Sequence, residues 1–242
     1  MPGVVYLAVF VIIAVASVVQ AATGFGSAMI AVPLLVLATD PRTAVVGAAL
    51  AAVLLTVGLA VRERAYAQWR VATWLTVASA LGMPLGLAIL ALTPERILTA
   101  IIAVTAMICT VLVWRRVRLG GSRFGVGVVG VVTGVLTTAT GTNGPPLVAA
   151  FQALGYPART FRATISAVFA GTGVLGVLGF LFAGQVTAAA AWVGAVGLPA
   201  TALGWWAGQR IFVRFDEDRF RRVVLACLGV ISAVTLVRAV LP

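Results

Sequence analysis

The chain contains no histidine and no lysine, and only 6 acidic residues in 242. Without histidine, the commonest metal ligand and the usual general base near neutral pH are missing, so zinc sites and hydrolase triads are not expected. Cysteine is nearly absent too. Cys109 and Cys227 each lie inside an apolar run with no second cysteine nearby, and both read as small buried hydrophobes rather than a redox or metal pair. Charge of either sign is scarce: 10% of residues are charged and 62% hydrophobic, against about a quarter and about half in a soluble domain. These absences exclude an ordinary water-soluble enzyme, and neither a cofactor nor a metal is expected.

What charge there is comes mostly from 17 arginines, which give a net charge of +11. In a soluble protein that balance would suggest nucleic acid. Here the arginines occupy short gaps between long apolar runs, without a basic stripe or interleaved aromatics, so no nucleic-acid partner is expected. They read as topology signals in a lipid bilayer. No basic segment precedes the first apolar run, so the N-terminus reads as a membrane segment rather than a cleaved signal peptide.

A hydrocarbon core of about 30 Å needs about 20 apolar residues per helix. Cutting the chain at charge, Pro and Gly clusters gives two matching halves, 1–118 and 119–242. The first has an uncharged stretch from Val4 to Thr39, then spans near Thr43 to Val61, Val71 to Leu92 and Ile97 to Val113. The second has an uncharged stretch from Phe124 to Tyr156, then spans near Ala163 to Ala183, Val186 to Ala207 and Phe220 to Val240. Gly24 to Pro41 is about as far as Gly141 to Pro157, and Pro41 to Pro84 about as far as Pro157 to Pro199, as an internal duplication requires. Gly82 and Gly86 around Pro84 are matched by Gly204 and Gly208 after Pro199, two GxxxG pairs that would let helices approach closely.

Arginine counts orient these segments. In the first half Arg62, Arg64 and Arg70, and then Arg115, Arg116, Arg118 and Arg123, crowd the second and fourth gaps, while Arg42 and Arg96 stand alone in the others. In the second half the crowded gaps are the first, with Arg159 and Arg162, and the third, with Arg210, Arg214, Arg219, Arg221 and Arg222. By the positive-inside rule, equivalent loops then face opposite sides. The expected architecture is an all-α polytopic membrane protein of two inverted repeats. Each repeat is a broken helical hairpin followed by three transmembrane helices, about 8–10 membrane segments in all, with both termini outside the cell membrane. Whether the hairpins are re-entrant or fully crossing, and whether the protein is a homo-oligomer, stays open. Trp69, Trp114, Trp205 and Trp206 fall at span ends, where an aromatic belt would place them.

Each opening stretch is broken in its middle, by Gln20-Ala-Ala-Thr23-Gly24-Phe25-Gly26-Ser27 in the first half and by Thr137-Thr-Ala-Thr140-Gly141-Thr142-Asn143-Gly144-Pro145-Pro146 in the second. Unwound backbone at membrane depth is tolerated only inside protein or beside water. A helix restarting after such a break presents unpaired N–H groups and partial positive charge, so two opposed restarts make an anion site without a charged side chain. Gln20, Thr23, Ser27, Thr140, Thr142 and Asn143 could add amide and hydroxyl donors, and Pro145 suits a first helical turn. Arg42, Arg159 and Arg162 follow the hairpins and are candidate vestibule residues as well as topology signals. No acidic residue lies deep in a span, so a buried carboxylate proton relay is missing. Asp40 before Pro41 reads first as a helix-start residue.

At these breaks the chain resembles the TauE/SafE sulfite exporters, also called the four-toluene-sulfonate uptake permease family. The resemblance is carried by Gln20 to Leu35, by Gly141 to Val148 with its Asn-Gly-Pro-Pro run, and by Phe161-Arg-Ala-Thr164. In the first half Ser27 and Ala28 follow Gly26, where the family often has a run of three glycines. The resemblance implies an inner-membrane carrier of small sulfur-containing anions such as sulfite, sulfonates or sulfoacetate, often outward, with Gly24 to Ser27 and Gly141 to Pro145 as its substrate region. The residues alone reach an anion site but not sulfur. They leave open a secondary transporter, a passive anion channel, or a membrane scaffold whose breaks only pack helices.

Overall fold

A computed structural model describes residues 3–23, 26–115, 123–154 and 156–212. Among these every regular element is helical: α1 (Gly3–Thr23), α2 (Ser27–Ala38), α3 (Pro41–Arg62), α4 (Trp69–Leu92), α5 (Glu95–Trp114), α6 (Arg123–Ala139), α7 (Gly144–Leu154), α8 (Ala158–Phe182) and α9 (Ala188–Phe212), with a single 3-10 turn at Arg64–Tyr66. Six helices, α1, α3, α4, α5, α8 and α9, are long and apolar enough to cross a membrane. The span expected at Phe220 to Val240, Cys227, and the arginines at 116, 118, 214, 219, 221 and 222 lie outside the described residues.

Both opening stretches fold as broken hairpins with one long and one short arm. With a rise of 1.5 Å per residue, the 21 residues of α1 reach about 31 Å, whereas the 12 of α2 reach about 18 Å and the 11 of α7 about 17 Å. The short arms therefore cannot cross a core of about 30 Å. Helix boundaries also differ from the apolar spans. Helix α8 begins at Ala158 rather than Ala163, because Arg159 and Arg162 mark where a helix leaves apolar surroundings and not where it ends.

Asp40 caps α3, its Oδ1 accepting the Thr43 N–H at 2.9 Å, with Pro41 as first helical residue. Arg42, the second residue of α3, donates from Nε to Leu90 O and from Nη2 to Ala91 O and Thr93 O, each at 3.0 Å. It thus satisfies carbonyls that the end of α4 leaves unpaired, and holds α3 and α4 antiparallel.

The helices of the two halves interleave. Helix α1 lies along α9, and α4 along α6, as the tightest pairs. Glycine explains why. A Cβ on Gly82 or Gly86 would meet the α6 backbone at Val131 or Val135, and one on Gly204 or Gly208 the α1 backbone at Ala14 or Val18. The matched GxxxG pairs thus make matched close contacts. Hydroxyls reinforce both seams: Ser79 donates to Gly130 O at 2.9 Å, Thr138 to Met83 O at 3.0 Å, and Ser17 to Thr201 Oγ1 at 3.4 Å.

Contacts along these seams give direction. Tyr6 faces Trp192, Ser17 faces Thr201 and Gly208 meets Ala21, so α1 and α9 are parallel. Gly47 meets Val193 and Gly197 meets Ala51, so α3 runs with them. On the other side Ala78 meets Gly130 and Gly86 meets Thr138, while Thr76 meets Gly171 and Leu87 meets Gly179; α4, α6 and α8 are therefore parallel to one another and opposed to the first group. One end of the bundle gathers Arg62, Arg64, Arg70, Arg159, Arg162 and Arg210, joined by Arg62 Nη1 to Gln209 Oε1 at 2.8 Å and by the Gln68 N–H to Thr164 Oγ1 at 3.0 Å. Trp69, Trp114 and Trp206 are exposed near helix ends.

Candidate functional site

The two breaks meet. Left-handed backbone turns the chain at Gly26 (φ 96°) and at Gly141 (φ 69°), where a side chain would be strained. A Cβ on Gly141 would stand 3.1 Å from Val32 Cγ2 and 4.0 Å from Ala28 Cβ, so the second break packs directly on the first turns of α2.

Between them lies a cavity with about 80 Å³ open to the centre of a water-sized sphere, where one water needs about 10–15 Å³ on that measure. That is room for a few waters or one small oxyanion. Gln20, Gly26 and Ser27 border it from the first break, and Gly141, Thr142, Asn143 and Gly144 from the second. No charged side chain lines it among the described residues.

Helix ends supply the polarity. Helix α2 starts with Gly26 as its N-cap, which has no side-chain oxygen to offer, and its first intrahelical bond is from Ile30 N to Gly26 O at 3.4 Å. The N–H groups of Ser27, Ala28 and Met29, all cavity-lining residues, therefore have no acceptor within the helix. At α7 the sequence Gly144-Pro145-Pro146 places two prolines in the first turn, so Gly144 carries the first-turn N–H. The α7 dipole is kept but donors are fewer than at α2.

Side chains are held in order around this backbone. Asn143 Nδ2 donates to Thr137 Oγ1 at 2.8 Å, and Thr137 donates to Thr133 O at 2.7 Å. Thr140 and Thr142 share a 2.7 Å hydroxyl contact, and the Cys109 thiol reaches Thr142 O at 3.7 Å from α5. Gln20 is 3% exposed and borders the cavity, yet its Oε1 has no hydrogen-bond partner. A buried, unpaired amide oxygen costs about 1–3 kcal/mol, a cost that a ligand donor would remove.

Not every candidate borders the cavity. Thr140 and Pro145 are buried behind its wall. Gly24 lies outside the described residues, and Thr23 is described only as the last residue of α1. Arg42 is committed to the end of α4, and Arg159 stacks on Tyr66 with its guanidinium 3.5 Å from the ring centroid. Arg162 donates to Ala21 O, the carbonyl next to Gln20, at 3.3 Å and keeps a buried, unpartnered Nε. Of the three vestibule candidates it is the one in contact with a break-bearing helix end.

Other wall residues were not singled out from sequence. Ala48, Ala52 and Thr56 come from α3, and Phe169, Gly173 and Phe180 from α8. Thr56 and Gly173 face each other where α3 and α8 meet, and a Cβ on Gly173 would lie 3.6 Å from Thr56 Oγ1, an ordinary contact distance.

Neither a curated protein nor a solved structure matches the chain. The family model described as sulfite exporter TauE/SafE matches residues 9–235, nearly its whole length. This multi-pass membrane protein therefore belongs to the TauE/SafE sulfite exporter family.

Proposed function

We propose that the protein is a secondary transporter that exports a small sulfur-containing anion of the sulfite, sulfonate or sulfoacetate type by alternating access. The observation that carries this is the cavity bordered by both helix breaks, uncharged among the described residues, with the α2 and α7 N-termini opening on it and a buried, unpaired Gln20 oxygen beside it. The halves 1–118 and 119–242 are two inverted repeats in this proposal. The opposed helix groups support it, since α1, α3 and α4 exchange directions with their counterparts α6, α8 and α9. The arginine-rich end faces the cytoplasm of an inner-membrane protein with its N-terminus outside. Rocking of the repeats about the breaks exposes the cavity to each side in turn.

The test is uptake of radiolabelled sulfite into proteoliposomes containing the purified protein, beside Asn143→Ala. Saturable uptake with counterflow, weakened in the variant, is expected. Ohmic current without saturation would replace the carrier with a channel. Loss of stability in Asn143→Ala, with no anion flux through the folded wild-type protein, would leave a scaffold.

A further inference from the structure

We infer that the cavity selects a monoanion that carries one protonated oxygen, as hydrogensulfite does, and excludes the dianion; this rests on the transport proposal above. Two observations lead there. The first is electrostatic. With no charged side chain on the wall among the described residues, the positive field comes from two helix N-termini, each equivalent to about half an elementary charge. Together they balance about one negative charge. A second negative charge would be buried with no charged side chain on the cavity wall to pair it among the described residues, which low-dielectric surroundings penalise heavily.

The second is chemical. The helix starts and the Asn143 amide are donors, which suit bare anionic oxygens. Gln20 Oε1 is the opposite, an acceptor in a residue 3% exposed with no partner of its own. An anion made only of acceptor oxygens leaves it unpaired. An anion with one O–H satisfies it while its remaining oxygens take the N–H groups of the α2 start. The proton that such a cargo carries crosses with it, so pH-linked flux needs no carboxylate in a span, and among the described residues Asp40, Glu63 and Glu95 all sit at helix ends.

The experiment measures half-saturating total sulfite for proteoliposome uptake across the pH range in which hydrogensulfite loses its proton, with methanesulfonate and sulfate as competitors, for the wild type and Gln20→Met. Folding of the variant is checked by size-exclusion chromatography and thermal unfolding. Above the ionisation midpoint, half-saturating total sulfite should rise about tenfold per pH unit, following the monoanion. Sulfate, a dianion, should not compete. Gln20→Met should weaken sulfite about tenfold through the lost hydrogen bond, while methanesulfonate, a monoanion without an O–H, should compete equally against both proteins. Half-saturation independent of pH, or competition by sulfate, would overturn selection of the monoanion. Equal weakening of methanesulfonate in Gln20→Met would overturn the role of the proton, because Gln20 would then be acting as an N–H donor. Folded wild-type protein that takes up and binds none of these anions would instead overturn the transport proposal itself.

Discussion

Replacing glycine by alanine should destabilise this protein at two places and stabilise it at a third, and the local backbone decides the sign. Gly26 has φ 96° and open space where a Cβ would go, so Gly26→Ala carries a purely conformational penalty, about 1–2 kcal/mol for left-handed backbone. Gly26→Asn should recover most of it, since asparagine visits that region readily. At Gly141, φ 69° brings the same penalty, and the new methyl also meets Val32 Cγ2 at 3.1 Å, adding about 1 kcal/mol of overpacking. Gly58 is the control. It lies inside α3 without positive φ, and nothing stands within 4 Å of where a methyl group would go, so Gly58→Ala should stabilise by about 0.5–1 kcal/mol. Reversible denaturant titration in detergent micelles, followed by helical circular dichroism, resolves these differences. Wild-type stability for Gly26→Ala, or no recovery with asparagine, would refute the claim that a left-handed residue holds the first break.

Other substitutions probe the seams and the site. Gly86→Leu forces a side chain against Val135 O and Thr138 on α6, and should cost about 1–3 kcal/mol or more, seen as a lowered thermal midpoint. Arg42→Gln should destabilise by about 1–3 kcal/mol through the three α4 carbonyls it releases, yet leave half-saturating sulfite unchanged in proteoliposome uptake; a large change in that value would make it a vestibule residue after all. Asp40→Asn should keep both stability and pH-dependent flux, whereas Asp40→Ala should lose about 1 kcal/mol with the cap. Loss of pH-dependent flux in Asp40→Asn would mark a proton carrier instead.

The sequence made the breaks visible because they violate the surrounding pattern: Gly24 to Ser27 and Gly141 to Pro145 put unwinding residues where an apolar helix should continue. It made the spans that became α3, α4, α5, α8 and α9 visible by length alone. What it hid follows from distance along the chain. The α1 and α9 seam pairs Ser17 with Thr201, 184 positions apart, and no local periodicity announces such a partner. The same holds for the cavity's far walls. Thr56 and Gly173 are unremarkable within α3 and α8 and acquire meaning only where those helices cross. Arg42 misleads in another way. Its type and position suit an anion vestibule, but an arginine at the start of α3 also reaches the end of α4, and three carbonyls there claim it.

A site assembled this way has a consequence for how substitutions should be interpreted. Its charge is lent by backbone at the starts of α2 and α7, so no single side-chain truncation removes it. The sharper perturbation adds charge. Asn143→Asp keeps the size of the side chain and replaces a neutral amide beside the cavity with a carboxylate, directly at the start of α7. Two unit charges about 4 Å apart repel by about 4 kcal/mol at an effective dielectric constant of 20, roughly a thousandfold in affinity. A carboxylate at a helix start is itself favourable by about 0.3–1 kcal/mol, so the protein should fold. Folded Asn143→Asp protein should therefore show sulfite competition weakened by several hundredfold or more, in a binding measurement that does not depend on turnover. Affinity within a few fold of the wild type would mean that the anion does not bind between the two breaks.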